Sequence, residues 1–153
     1  MYTLVLILHS WIRWAAVVAG VGATFALFTG RQSVSRPDSS DGWGLAFLIA
    51  VDLQLLLGLL LYFVLSPTTA AIRQDFGAAM RDPVARFWAV EHIASMLVAV
   101  VMVHVGRVLA RKARTPGAKR TRLLICYGIA TVVMLAGTPW PGMMSGRPLF
   151  RYD

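Results

Sequence analysis

Three histidines, His9, His92 and His104, each fall inside an apolar run of the chain. A neutral imidazole is a good transition-metal donor, and two of them on opposite faces of a porphyrin are an axial ligand set for haem iron. Arg13, Asp52, Gln54 and Glu91 lie in the same apolar runs. An ionisable side chain at the centre of a membrane span costs at least ~2.5 kcal/mol on insertion scales. So many of them exceed what a purely mechanical anchor needs. Some should pair with one another, and some should serve a ligand.

The elements that carry these residues are four apolar segments. The spans are expected at about 3–28, 44–65, 86–110 and 122–138, with a tail at 139–153. Each is near the ~20 residues that cross a bilayer as a helix, the fourth being the shortest. Strands of a barrel would alternate apolar and polar residues, and these segments do not. The expected fold is all-α: one domain over 1–153, an integral membrane four-helix bundle. Asp41 is the expected N-cap of the second span, a short interfacial helix is expected around Thr69 to Met80, and Asp82-Pro83 should open the third. Trp140, Phe150 and Tyr152 suit a tail lying at the interface.

Orientation follows from the basic residues. The first and third loops hold nine Lys and Arg; the second loop with Arg86, and the tail, hold five. The richer side should be cytoplasmic. The N-terminus and C-terminus then lie on the outer, periplasmic side of a bacterial inner membrane. The apolar run that begins at Thr3 lacks a basic n-region and continues to Phe28, so it reads as a retained span.

Composition agrees. The chain is 58% hydrophobic and 14% charged, against about 25% charged in a typical soluble domain. A net charge of +8 is common in nucleic-acid binders, but seven of the fifteen basic residues sit in one loop between apolar runs. The partner this implies is the lipid bilayer, not nucleic acid. The lone Cys126 forms neither an intramolecular disulfide nor a cysteine metal cluster. No zinc signature or phosphate-binding glycine loop is present, and Ser10 next to His9 points in a different direction on a helix.

Depth links the histidines. His9 lies about six residues, or ~9 Å, below the outer end of its span, and His92 about six residues in from Arg86. At equal depth, imidazoles from the first and third spans could meet across the core and hold a b-type haem. Gly20, Gly22, Gly58 and Ala94 could make room for the ring. Arg13, Arg86 and Arg147 are the candidate propionate partners. Met96 shares the His92 face at i+4 and is an alternative axial ligand. Arg13 could instead pair with Glu91 or bond Gln54. His104 and Asp52 could form a second polar pair, a proton site or part of a quinone pocket. The twelve residues from His92 to His104 turn a helix by about 1200°, leaving the two roughly 120° apart, so they do not stack two haem sites.

These residues carry a resemblance. His9-Ser10-Trp11-Ile12-Arg13-Trp14, Gln54-Leu55-Leu56-Leu57-Gly58, Glu91-His92, His104-Val105-Gly106-Arg107, Pro139-Trp140 and Gly146-Arg147-Pro148-Leu149 span nearly the whole chain. The chain resembles small bacterial four-helix membrane proteins labelled cytochrome b-like, which open on a His-Ser-x-x-Arg-Trp motif. The resemblance implies a haem-binding membrane subunit without specifying a reaction.

The first expectation is therefore a b-type cytochrome-like subunit holding heme b at His9 and His92, exchanging electrons with quinone or an outer redox partner. The second is an accessory or assembly subunit of a larger respiratory or photosynthetic complex, binding lipid, quinone or a chlorophyll-type pigment without redox chemistry. The third is a small transporter with a polar path through Arg13, Asp52 and Glu91.

Overall fold

The computed structural model describes residues 1–30 and 42–150. The described residues are helical with no strand. In order they form α1 (Tyr2–Phe28), α2 (Gly42–Leu60), α3 (Pro67–Gln74), α4 (Phe76–Arg81), α5 (Pro83–Arg86), α6 (His92–Arg111) and α7 (Pro116–Ala136). Two π-helical turns interrupt them: Leu61–Leu65 extends α2, and Phe87–Glu91 joins α5 to α6. Asp41 and Tyr152 lie outside the described residues.

Three helices are long and apolar enough to cross a membrane: Tyr2–Phe28, Gly42–Leu65 and Pro83–Arg111. The first two turns of α7 hold Lys119, Arg120 and Arg122, so its apolar stretch runs only from Leu123 to Ala136. The three long helices turn many large apolar side chains outward, among them Leu4, Val18 and Phe25 of α1, Leu56 and Phe63 of the second, and Val98 and Val101 of α6.

Helix starts follow capping chemistry. Ser66, Asp75, Asp82 and Thr115 each accept a hydrogen bond from a backbone N–H of the following turn. Pro67, Pro83 and Pro116 stand at the first helical positions, where the missing N–H costs nothing. Asp82-Pro83 opens the third long segment as expected. The single short helix expected around Thr69 to Met80 is instead two, α3 and α4, divided at Asp75.

Two arginines of α7 close the other ends. Arg120 donates from Nε to the Leu27 carbonyl at 2.7 Å and from Nη2 to the Phe28 carbonyl at 2.7 Å. Arg122 donates to the Leu109 carbonyl at 2.7 Å. A helix leaves its last carbonyls unpaired and carries partial negative charge there, so each cation meets both needs. Gly30 follows α1 with φ of +71°, a left-handed conformation that suits glycine.

Small residues set the packing. Ala16, Ala19, Gly20 and Ala23 form a buried stripe on α1. A Cβ at Gly20 would sit 2.9 Å from both the Phe47 ring and Thr131 Oγ1, and one at Gly106 would sit 2.7 Å from Cys126 Cβ. These contacts bring α1 against α2 and α7, and α6 against α7; α6 also packs on α2. Neighbours run antiparallel, so α1 and α6 are parallel and stand on the diagonal. Phe47 and Tyr127, both fully buried, meet edge to face at 5.5 Å in the core between them.

Candidate functional site

Toward the end where α1 begins, the helices enclose a cavity of about 170 Å³. His9, Arg13, Gln54, Gly58, Trp88, His92 and Met96 line it. Leu6, Leu55, Ile93, Val100 and Met134 make its walls mostly apolar, and Pro139, Arg147 and Pro148 of the tail close one side.

His9 and His92 reach into it from the diagonal helices. Their ring centroids lie 6.5 Å apart with planes at 71°. With metal–imidazole bonds of about 2.0–2.1 Å, two rings ligating one ion in line place their centroids roughly 6–6.5 Å apart. The observed spacing matches that figure and also lies in the 4.5–7 Å range of an edge-to-face ring contact. His92 Nδ1 donates to the Gly137 carbonyl at 2.8 Å. That bond fixes the tautomer and leaves Nε2 with its lone pair, the arrangement in which an imidazole ligates a metal. Gly137 can approach so closely because it has no side chain: a Cβ would meet Ser95 Cβ at 2.6 Å. On the other side, Gly58 makes space for the His9 ring, whose Cε1 would be 3.3 Å from a Cβ at that position.

The polar atoms of the cavity are incompletely paired. Four buried side-chain atoms among the described residues have no hydrogen-bond partner: His9 Nδ1, Arg13 Nε, Gln54 Oε1 and Trp88 Nε1. All four residues line this one cavity. An unmet buried polar group costs about 1–3 kcal/mol, and these four converge on one cavity. Gln54 and Arg13 are otherwise anchored. Gln54 Nε2 donates to the His9 carbonyl at 2.9 Å, and Arg13 Nη2 donates to the Leu149 carbonyl at 2.6 Å.

The two π-helical turns flank the cavity and bond each other. Tyr62, in the first, donates its hydroxyl to the Ala89 carbonyl of the second at 2.7 Å. Thr69 Oγ1 and Arg73 both donate to the Tyr62 carbonyl. A π-turn shifts the hydrogen-bond register and frees carbonyls, and such turns concentrate at functional sites. Here side chains from α3 and the paired turn take up the freed groups. The tail is fastened over α1 in a similar way. Trp14 Nε1 joins Arg13 in donating to the Leu149 carbonyl, and the Phe150 ring lies 4.9 Å from Trp11 and 5.5 Å from Trp14. Arg147 stacks 5.1 Å over the Trp88 ring.

Several expectations are corrected. Arg86 is absent from the cavity lining; its Nε bonds Glu91 Oε1 at 2.8 Å on the exposed surface, which also removes Glu91 as a partner of Arg13. Gly20 and Gly22 do not widen the cavity, since Gly20 seats Phe47 and Gly22 seats the Trp43 ring. Ala94 faces outward. Met96 lines the cavity together with His9 and His92. Trp14 and Trp140 meet edge to face at 6.0 Å, and Trp88 lines the cavity. Asp52 and His104 do pair, Nε2 to Oδ1 at 2.9 Å, on the outer surface of α2 and α6. Of Arg13, Asp52 and Glu91, only Arg13 lines the cavity, so the three do not form one polar path.

What the cavity can hold follows from its donors. No group of three or more His, Cys, Asp or Glu side chains among the described residues could hold a metal ion. A metal between His9 and His92 must therefore bring further ligands of its own, as a porphyrin brings four nitrogens. Comparisons with protein-family models, with curated proteins and with solved structures find no match.

Proposed function

We propose that this protein is a membrane b-type cytochrome-like subunit that holds one haem between His9 and His92. In this reading α1, α2, α6 and α7 form a four-span bundle in a bacterial inner membrane, with both termini on the periplasmic side. The excess of Lys and Arg at the opposite end, around the α6–α7 connection, supports that orientation.

The observation that carries the proposal is the 6.5 Å pair of imidazoles inside an apolar cavity that also collects the four unmet polar atoms. His9 and His92 are the residues that would hold the iron. Arg13 and Arg147 are the cations available to carboxylate edges, and Gln54 and Trp88 offer one acceptor and one donor. Haem bound there supplies a one-electron couple at a depth the protein chooses. The chain's own part is to fix the His92 tautomer through Gly137, to exclude water with Leu, Ile, Val and Met side chains, and to close the outer side with the tail. Electrons would pass to or from quinone in the bilayer or a partner at the outer face.

One observation favours the second reading, an accessory subunit without a redox step. A void of about 170 Å³ is near the ~150 Å³ scale of an engineered cavity that binds benzene, so a tetrapyrrole enters only if lining side chains move aside. The reduced-minus-oxidised spectrum of detergent-purified protein separates the two. The cytochrome reading predicts a sharp haem α-band in the wild type that is lost in both His9→Ala and His92→Ala. A colourless wild-type preparation of normal helical content, staying colourless after haemin is added, contradicts it. Co-purification of larger subunits with such a preparation points to the accessory reading.

A further inference from the structure

Outside the cavity, one polar pair lies on the apolar surface of α2 and α6. Asp52 on α2 and His104 on α6 bond at 2.9 Å, yet their side chains remain 42% and 51% exposed. Around them Ile49, Leu53 and Leu56 of α2 and Val101, Val105 and Val108 of α6 are exposed and apolar. His104 lies about seven residues or ~10 Å from the end of α6 at Arg111, with Arg107 one turn away. Intramembrane ionisable side chains ordinarily face the interior or a wet cavity, and they mark sites of function when they do not serve packing. About half of each side chain stays open to the surroundings.

Its chemistry narrows the occupant. The Nε2–Oδ1 bond uses one nitrogen of His104 and one oxygen of Asp52, leaving Nδ1 and Oδ2 for a visitor. Nδ1 donates or accepts according to the proton it carries. A ligand that reaches this place must be soluble in acyl chains and must present a hydrogen-bonding edge. A quinone presents carbonyl acceptors, and its reduced form presents hydroxyl donors. An imidazole–carboxylate pair can meet both forms, whereas a purely apolar lipid tail meets neither.

We propose that Asp52 and His104 form a bilayer-accessible binding site for the headgroup of a quinone-class carrier, lodged between α2 and α6 with its tail along Leu56 and Val101. This assignment rests on the electron-transfer reading above, because it supplies that reading with its partner in the membrane. It concerns recognition of the headgroup and makes no use of the cavity residues.

The test is photolabelling of the full-length protein in lipid nanodiscs with an azido-ubiquinone, mapped by mass spectrometry, with decylubiquinone as competitor. The proposal predicts labelled peptides within Leu45–Leu56 or Leu97–Val108, suppressed by the competitor. Labelling there falls about tenfold or more in Asp52→Asn and in His104→Gln, the size of one lost hydrogen bond of the stronger kind. Asp52→Asn is the milder change and covers the case in which His104→Gln does not fold. Labelling elsewhere, no competable labelling, or labelling unchanged in a folded variant overturns the proposal. So does the appearance of cross-linked dimers through these helices in place of quinone labelling, which would make the pair a contact between two copies. The haem spectrum is read on the same samples. A spectrum without labelling refutes only the quinone site, and labelling without a spectrum refutes only the haem.

Discussion

Gly58 is the position where the site can be closed by a single side chain without touching a ligand. A Cβ there would lie 3.3 Å from His9 Cε1 and 3.9 Å from Nδ1, and nothing else comes within 4 Å. Gly58→Ala therefore asks the ring to give by a few tenths of an ångström, while replacing glycine in a helix interior gains up to about 1 kcal/mol. The alanine variant should melt no lower than wild type and bind haemin only a few-fold more weakly. Gly58→Leu adds three more carbons in the direction of the ring. Overpacking typically costs about 1–3 kcal/mol. If that cost falls on the bound position of His9, affinity drops ~5- to 150-fold at 1.4 kcal/mol per decade. The assay is absorbance titration of the purified protein with haemin, with thermal unfolding of the ligand-free protein run alongside. A leucine variant that binds like wild type refutes the reasoning, because the His9 ring then does not occupy the position that binding needs.

Four further outcomes follow. Arg120→Ala removes two 2.7 Å hydrogen bonds from the end of α1 and should cost about 2–4 kcal/mol of stability, measured by denaturation in detergent, with haemin affinity little changed. Tyr62→Phe leaves the Ala89 carbonyl without its 2.7 Å donor and should lower stability by about 1–2 kcal/mol, read as a drop in Tm. Gly146→Ala would bring a Cβ to 2.5 Å from the Trp140 carbonyl, so the tail should loosen and become cut faster by added protease between Pro139 and Phe150. Gly106→Ala places its Cβ 2.7 Å from Cys126 Cβ and should cost about 1–3 kcal/mol by overpacking the α6–α7 contact.

The legible parts of this protein are those governed by one-dimensional pattern. Hydropathy alone places the three long apolar helices, and proline with Asp82 places the start of the third long segment. The depth match between His9 and His92 is readable because rise per residue is constant in a helix, and the structure sets their rings 6.5 Å apart. Their route to each other was not readable. Sequence spacing puts both residues at one level but does not tell adjacent helices from diagonal ones, and here the imidazoles cross the diagonal. Arg86 shows the same limit: depth made it a candidate for the cavity, while a local partner, Glu91, five residues along, holds it outside.

Other features have no local signature. A π-turn differs from an α-turn by one residue of hydrogen-bond register, and Leu61–Leu65 and Phe87–Glu91 read as ordinary apolar helix. The capping roles of Arg120 and Arg122 depend on where α1 and α6 end in space. In the sequence both look like part of a basic loop. The glycines divide likewise. Gly58 faces the cavity, whereas Gly20 and Gly22 admit aromatic rings from α2, a difference decided by which neighbour each face meets.

The most direct test is the electron paramagnetic resonance spectrum of the ferric protein reconstituted with haemin. Two imidazoles on one iron give a low-spin signal in the wild type. His9→Ala and His92→Ala should each convert it to a high-spin signal, and added free imidazole should restore the low-spin form in both. A wild-type signal that is high-spin, or a low-spin signal that survives either substitution without added imidazole, contradicts a shared site at His9 and His92.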